Sequence, residues 1–304
     1  MKRIIYLLTH PKDLFVVLMR KTARLWPDET YVKTLYHIRM GGVKPNLQNP
    51  QKFTEKLQWL KLHDHNPLYH KLVDKYEVKK YVAERIGEEH VIPCYGVWDN
   101  VNDIDFSQLP KQFVLKCTHD SGNFVVCKDK SSLDIKAACK KLSHAMSMSY
   151  YWGGREWAYK DVKPRVIAEK YIDSLGKPES TEYKITCIDG VVKVITVCGG
   201  IAHAKFEQRS NDNFSREWER QNWYAYYKPT NRDIPRPAQM DDMIAFSEKL
   251  SAGIPQVRVD WYVVDGKVYF GEMTFYTWSG FIKYEPEEWN DIMGSWLKLP
   301  DMDK

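Results

Sequence analysis

RVDWYVVDGKVYFGEMT, residues 258–274, decides the fold. Two alternating apolar runs flank Asp265-Gly266, and Asp-Gly suits the positive φ angles of a two-residue turn between antiparallel strands. The hairpin brings Asp260 and Glu272 onto adjacent strands, where they are expected to project to one face. Arg258, two residues before Asp260, shares its side-chain direction by strand alternation. Two facing carboxylates repel unless something positive lies between them, and hard oxygen ligands that leave room for substrate phosphates suit Mg2+. A cation at Arg258 stabilises negative charge developing on a phosphate or tetrahedral oxygen. A surface ladder of Arg, Asp and Glu would give the same pattern, so the hairpin alone does not decide the chemistry.

Working outward, YKITCIDG and VVKVITVCG form a second hairpin signal around Asp189-Gly190. HVIPCYGVW, QFVLKCTH and PRVIAEKYI read as further short strands, and a helix is expected at about 132–147. The N-terminal part reads as helical. In NPQKFTEKLQWLKLHD, Phe53, Leu57 and Leu60 make an apolar stripe beside Lys56 and Lys61, with Asn49 or Thr54 as the cap. LYHKLVDKYEVKKYVAERIG reads as one helix ending at Gly87. The expectation is an α+β chain with an antiparallel sheet in its C-terminal two thirds.

Composition sets the outer limits. At 304 residues and 43% hydrophobic, the chain can bury a sizeable core over two or three subdomains. Lys and Arg number 45 against 40 acidic residues, and the two signs are interspersed. The modest charge of +5 suits an anionic ligand, and nucleic acid is not an expected partner. Six cysteines without a CxxC pair point to free thiols in a reducing compartment. The opening YLL and LFVVLM runs are too short and too interrupted to span a bilayer. With Lys2, Arg3, Lys12, Arg20, Lys21 and Arg24 around them, they suit peripheral contact with an anionic membrane as well as packing on the protein.

Two more stretches carry chemistry. In FVLKCTHDSGNFVVCKDKS, residues 113–131, Lys116 lies inside a strand, and burying its ammonium unpaired would cost several kcal/mol. The turn Thr118-His119-Asp120-Ser121-Gly122-Asn123 offers backbone N–H groups to phosphate oxygens. It lacks GxxxxGKS, so it is not a P-loop. Lys75, in Val73-Asp74-Lys75-Tyr76, opens a helix and alone reads as a solvated lysine.

The ordered series of DK opening a helix, FVLK with a small-residue hairpin, AEKYI, EYKI and RVDW…DG…GEMT resembles the ATP-grasp superfamily, and within it the TupA-like group. NPQKFTEKLQWLKL, DKYEVKKYVAERIG, FVLKCTHDSGN and GEMTF…SGF carry the likeness through about 230 residues. The resemblance implies an ATP-grasp fold, two α+β subdomains gripping ATP, with a helical N-terminal extension. The expected division is a helical region at 1–65 and an ATP-grasp domain at 66–304, itself divided into 66–168 and 169–304.

It also implies roles. Lys75 and Lys116 look like the phosphate-contacting lysines, and Thr118 to Asn123 like the loop over the β- and γ-phosphates. Glu169, Lys170, Tyr171 and Ile172 resemble the hinge strand whose backbone reads adenine. Glu182 resembles the acidic residue that accepts ribose hydroxyls, with Lys184 adding charge near the phosphates. Arg258 matches the arginine beside the acyl phosphate, and Asp260 and Glu272 match the magnesium carboxylates. Where the family usually has asparagine, this chain has Thr274, whose hydroxyl can still ligate Mg2+ or hold a bound water.

The activity implied is an ADP-forming, Mg-ATP-dependent carboxylate–amine ligation in the cytoplasm. Its substrates would be a uronic-acid glycan and an amino acid or similar amine, for a cell-envelope polysaccharide. Trp152, Trp157, Trp218 and Trp223 are candidates to stack on sugars or to belong to the core, and Arg155, Arg209 and Arg216 are candidates to hold a carboxylate. The stretch Ala202–Tyr226 joins that substrate side. A glycosyltransferase of polysaccharide biosynthesis is the alternative; it would want a DxD-like motif in a nucleotide-binding α/β domain, which late-hairpin carboxylates fit poorly. A binding protein without turnover, and a phosphotransferase on the same fold, are further alternatives.

Overall fold

The computed structural model describes residues 9–172, 182–199, 209–230 and 232–301. Lys2, Arg3 and the YLL run lie outside them, as do residues 202–208 of the substrate-side stretch.

Helix α1 (Pro11–Lys21) and helix α2 (Asp28–Arg39) build a small apolar cluster of Val16, Met19, Ala23, Tyr31, Leu35 and Tyr36, which is closed from the far end of the chain by Phe281. No helix among the described residues is long and apolar enough to cross a membrane. Helix α3 (Phe53–His63) buries the predicted stripe, Phe53, Leu57 and Leu60, in the main core. Neither predicted cap is used. Glu55 instead accepts from the backbone N–H groups of Asn46, Gln51 and Lys52, while Thr54 is buried against Tyr36 and Asn290.

The single helix expected at 68–87 is two, α4 (Leu68–Val73) and α5 (Glu77–Ile86). Asp74 breaks it: its Oδ1 accepts from the N–H groups of Tyr76 and Glu77, so the side chain competes with the helical ladder and restarts it. Gly87 ends α5 at φ 108°, a conformation that favours glycine.

Two antiparallel sheets follow. The four-stranded sheet has the order β1-β4-β2-β3, with β1 Cys94–Trp98, β2 Phe113–Cys117, β3 Phe124–Cys127 and β4 Val166–Lys170. Helix α6 (Ile135–Met146), capped by Asp134, covers it, and Phe113, Leu115, Val166, Ala168 and Leu142 form its own core.

The larger sheet has the order β10-β9-β5-β6-β7-β8. Its strands are β5 Glu182–Ile188, β6 Val191–Gly199, β7 Ser210–Phe214, β8 Arg220–Gln221, β9 Gln256–Val264 and β10 Lys267–Thr274. Both predicted Asp-Gly turns are present, with positive φ at Asp189, Gly190, Asp265 and Gly266. Alternation sends Ile185, Cys187, Val257, Val259 and Trp261 to one face, where helix α7 (Met240–Ser251) packs on them. Trp261 Nε1 donates to Ser247 Oγ across that interface at 2.8 Å. The opposite face is left to polar residues.

Candidate active site

The polar face of the large sheet is the floor of a cavity of about 560 Å3. Glu182 and Lys184 of β5, Arg258 of β9 and Glu272 and Thr274 of β10 line it, and Ser121 of the β2–β3 loop lines its other wall. Pairing sets these neighbours: Lys184 lies opposite Asp260, and Thr186 opposite Arg258.

Glu272 faces Asp260 because of an irregularity the sequence did not disclose. The register Phe270 opposite Trp261, continued regularly, would put Glu272 opposite Val259 and turn its side chain away from Asp260. Between Phe270 and Glu272 the register shifts, and from there Glu272 pairs with Asp260 and Thr274 with Arg258. Gly271 is the extra residue of this bulge. A Cβ there would sit 3.0 Å from both the Asp260 carbonyl oxygen and Tyr262 Cε2, so any larger residue would have to push strand or ring back by a few tenths of an ångström.

Arg258 grips Asp260 through Nε and Nη2, each at 2.6 Å. Nη2 also donates to Thr274 Oγ1 at 3.1 Å and lies 3.6 Å from Glu272. Burial opposes the charge on Arg258, but Asp260 and Glu272 outweigh it and raise its pKa. Lys184 Nζ is 3.6 Å from Asp260 and 3.4 Å from Glu182; burial pulls it down, and Asp260 leads the groups that hold it above the usual lysine value. The Glu182 carboxyl is raised, chiefly by burial.

The donor set suits Mg2+. Asp260 and Glu272 are neighbouring hard carboxylates, Asp260 is 1% exposed, and Glu272 is open at 38%. Among the described residues no group of three or more His, Cys, Asp or Glu could hold a metal ion.

Further cations come from the small sheet, with Lys116, and from the α4–α5 segment, with Lys75 and Lys79. Glu169, 4% exposed, takes Lys116 Nζ at 2.5 Å and Lys79 Nζ at 2.6 Å. Burial pushes the Glu169 carboxyl up, and the two lysines outweigh it and hold it below the usual range. Lys79 was missed by the sequence reading; its spacing of four from Lys75 was the available signal. Lys75 lies in the break after Asp74 and donates to the Asp120 carbonyl oxygen. Its pKa is lowered by burial, against the pull of Glu272, Asp120 and Glu169.

The loop over this junction is shorter than the predicted Thr118–Asn123. Thr118, His119 and Asp120 are buried, and His119 Nε2 donates to the Met148 carbonyl at 3.1 Å. Only Ser121 and Gly122 are exposed, and Asn123 Nδ2 ties back to Asp120 at 2.6 Å. Gly122 has φ +88° and no atom within 4 Å of where a Cβ would lie, leaving its backbone open to a ligand. In the hinge segment Lys170 is exposed, Tyr171 is 8% exposed and Ile172 half-buried.

Two of the predicted carboxylate holders are elsewhere. Arg155 is fully buried, ion-paired to Asp28 and donating to the Ala23 and Trp26 carbonyls. Arg216 pairs with Glu248 of α7 at 3.0 Å, away from the cavity. Arg209 does line the cavity, with Trp223. Trp157 stacks on His65 and Trp218 on Phe214, so both serve packing. Trp152 lines a second cavity of about 980 Å3, with Arg20, Arg24 and Arg39 from the N-terminal helices.

Two antiparallel sheets, one carrying Lys116 and Glu169 and the other Lys184, Arg258, Asp260 and Glu272 on its cavity face, are consistent with an ATP-grasp protein. The chain belongs to the TupA-like ATP-grasp family, whose family model matches residues 55–298. No curated protein matches it. Among solved structures it is similar to D-alanine–D-alanine ligase from Bacillus anthracis complexed with ATP, at 16% identity over 73% of this chain and 57% of that one, with a TM-score of 0.38. It is also similar to the D-cycloserine synthetase DcsG, at 16% identity over 68% and 63% and a TM-score of 0.39. The D-alanine–D-alanine ligase from Helicobacter pylori is 14% identical over 82% and 68%, with a TM-score of 0.39. The chain thus spans less than two thirds of the first two.

Proposed function

We propose that this protein is a Mg-ATP-dependent, ADP-forming carboxylate–amine ligase acting on the cytoplasmic side of the membrane. Its substrates in this reading are a uronic-acid-bearing cell-envelope glycan or its precursor and an amino acid or similar amine. The observation that carries it is the junction itself. Lys75, in the break after Asp74, feels the charges of Glu272 and of Lys116 on the small sheet, and Ser121 of the β2–β3 loop shares a cavity with Glu182, Lys184, Arg258 and Glu272 of the large sheet.

In the first step a substrate carboxylate oxygen attacks the γ-phosphoryl group in line, and ADP leaves. Lys75 and Lys116 neutralise charge on the phosphate oxygens, and Arg258, fixed by Asp260, faces the acyl phosphate as it forms. Asp260 and Glu272, with Thr274 beside them, would hold Mg2+, which when bound would neutralise phosphate charge. Glu182 accepts from the ribose, and the backbone of Lys170 to Ile172 meets the adenine. The acyl phosphate then passes to an amine, so no nucleophilic side chain is required. The second cavity, with Arg20, Arg24, Arg39 and Trp152, supports an extended anionic acceptor.

The test is incubation with Mg-ATP, uronic-acid oligosaccharides and a panel of amino acids, following ADP and inorganic phosphate. Substrate-dependent release of both, abolished by Lys116→Ala and Glu272→Ala, is expected. Release of AMP, or of a nucleoside diphosphate from a nucleotide sugar with no ATP turnover, would overturn the reading.

A further inference from the structure

The two cavities adjoin: Ser121, Tyr150, Glu156, Trp278 and Ser279 line both. Among these five residues only Glu156 is a carboxylate, and it is 5% exposed.

Its setting is built rather than incidental. Trp278, Ser279 and Gly280 run through three consecutive left-handed conformations, with φ of 51°, 55° and 68°. Such backbone strain persists in a non-glycine residue only when its surroundings hold it. Here the holder is Lys61, 2% exposed, whose Nζ donates to the Ser279 carbonyl at 2.7 Å, Ser279 Oγ at 3.0 Å and Gln58 Oε1 at 3.0 Å. Ser279 lies beside Glu156, whose carboxyl it draws down against the effect of burial. Gly154 completes the fit: a Cβ there would come 2.3 Å from Ser279 Oγ and 3.3 Å from Glu156 Oε1. A lysine, a hydroxyl and a carboxylate are thus grouped together, the last two on the wall shared by the two cavities. None of them contributes to the nucleotide machinery described above.

Glu156 also lines the same cavity as Arg258 and Glu272, together with Tyr150 and Tyr159, whose rings are 4.6 Å apart.

We propose that Glu156 is the proton acceptor for the incoming amine, held in place by Ser279 and Lys61. This rests on the ligase reading. The amine nitrogen attacks the acyl carbon, the C–N bond forms and the C–O bond to the phosphoryl group breaks. Inorganic phosphate leaves with that electron pair. The proton lost by nitrogen goes to the Glu156 carboxylate, which becomes a carboxylic acid and later returns the proton to water. Burial raises the Glu156 carboxyl, with Lys61 opposing it, and a raised carboxyl is a better base near neutrality.

The test separates acyl-phosphate formation from amine transfer. Hydroxylamine is unprotonated at neutral pH and intercepts acyl phosphates without a base, giving a hydroxamate. With ATP, oligogalacturonate and either hydroxylamine or the amino-acid panel, Glu156→Gln should form hydroxamate at the parental rate. Its amide formation should fall by about 10²–10⁴-fold. Glu156→Asp, which keeps the charge on a shorter arm, should show the same split to a smaller degree and serves if the glutamine variant does not fold. Equal loss of hydroxamate and amide in a variant that still binds ADP would assign Glu156 to structure and overturn the proposal. Unchanged amide formation would overturn it equally. Absence of hydroxamate from the parental protein would instead bring down the ligase reading on which it rests.

Discussion

Arg258 holds Asp260 from two residues away on its own strand, with Nε and Nη2 each 2.6 Å from a different carboxylate oxygen. The fork fixes the guanidinium plane before any ligand arrives, so no reorganisation is needed when negative charge develops in front of it.

Arg258→Lys keeps the charge and loses the fork. A point charge on a flexible stem cannot engage both oxygens of Asp260 while also reaching Thr274. Steady-state kinetics should show kcat reduced by about 10²–10³-fold. ADP affinity, followed by titration calorimetry, should change by less than tenfold.

Gly271→Ala tests the bulge. The added Cβ meets the Asp260 carbonyl and the Tyr262 ring at 3.0 Å, and overpacking of this kind costs about 1–3 kcal/mol. Thermal melting should show the loss, and the Mg2+ concentration giving half-maximal activity should rise as Glu272 moves off Asp260. A melt and a Mg2+ requirement both identical to the parent would show that the bulge does not need glycine.

Burial pulls the Lys61 ammonium down to about 7, with Glu156 opposing. Between that value and its ordinary 10.5 the unfolded chain binds the extra proton, so this group makes stability rise with pH from about 7 upward. Glu156, raised from 4.5, gives the opposite slope in the acid range just above that value. Melting temperature against pH should therefore climb from neutrality towards pH 9, and Lys61→Met should flatten that limb. A parallel curve in the variant would contradict the depressed lysine.

Thr274 Oγ1 accepts from Arg258 Nη2 and donates to Glu272 Oε1 at 3.4 Å. Thr274→Asn retains an oxygen acceptor and should keep activity within about tenfold. Thr274→Val leaves Arg258 Nη2 short of one partner, a loss of about 1–3 kcal/mol, and should reduce kcat about tenfold or more. Measuring both across a Mg2+ series would separate a ligand role from an orienting one, since only the former changes the metal dependence.

The hairpins were readable because Asp-Gly names its own backbone conformation, and the strands because apolar residues alternate. Facing of Asp260 and Glu272 was expected correctly, but on grounds that omit the bulge: counting outward from Asp265-Gly266 gives Val259 as the partner of Glu272, and only the shift at Gly271 restores Asp260. The break at Asp74 was written in VDKYE as a side chain able to cap two following N–H groups, yet the apolar period runs on through it. Arg155 and Arg216 were misassigned because sequence shows a charge and not its partner. Lys79 escaped notice because a helix lysine is usually solvated, and its partner Glu169 is 90 residues away.

Phe281 lies among the residues of α1 and α2, and the left-handed run Trp278–Gly280 immediately precedes it. Family likeness begins at residue 55, inside α3. A chain trimmed to the shared segment would keep Gln58 and Lys61 on Ser279 but uncover Phe281, so the border of recognisable ancestry here runs inside a single unit of folding.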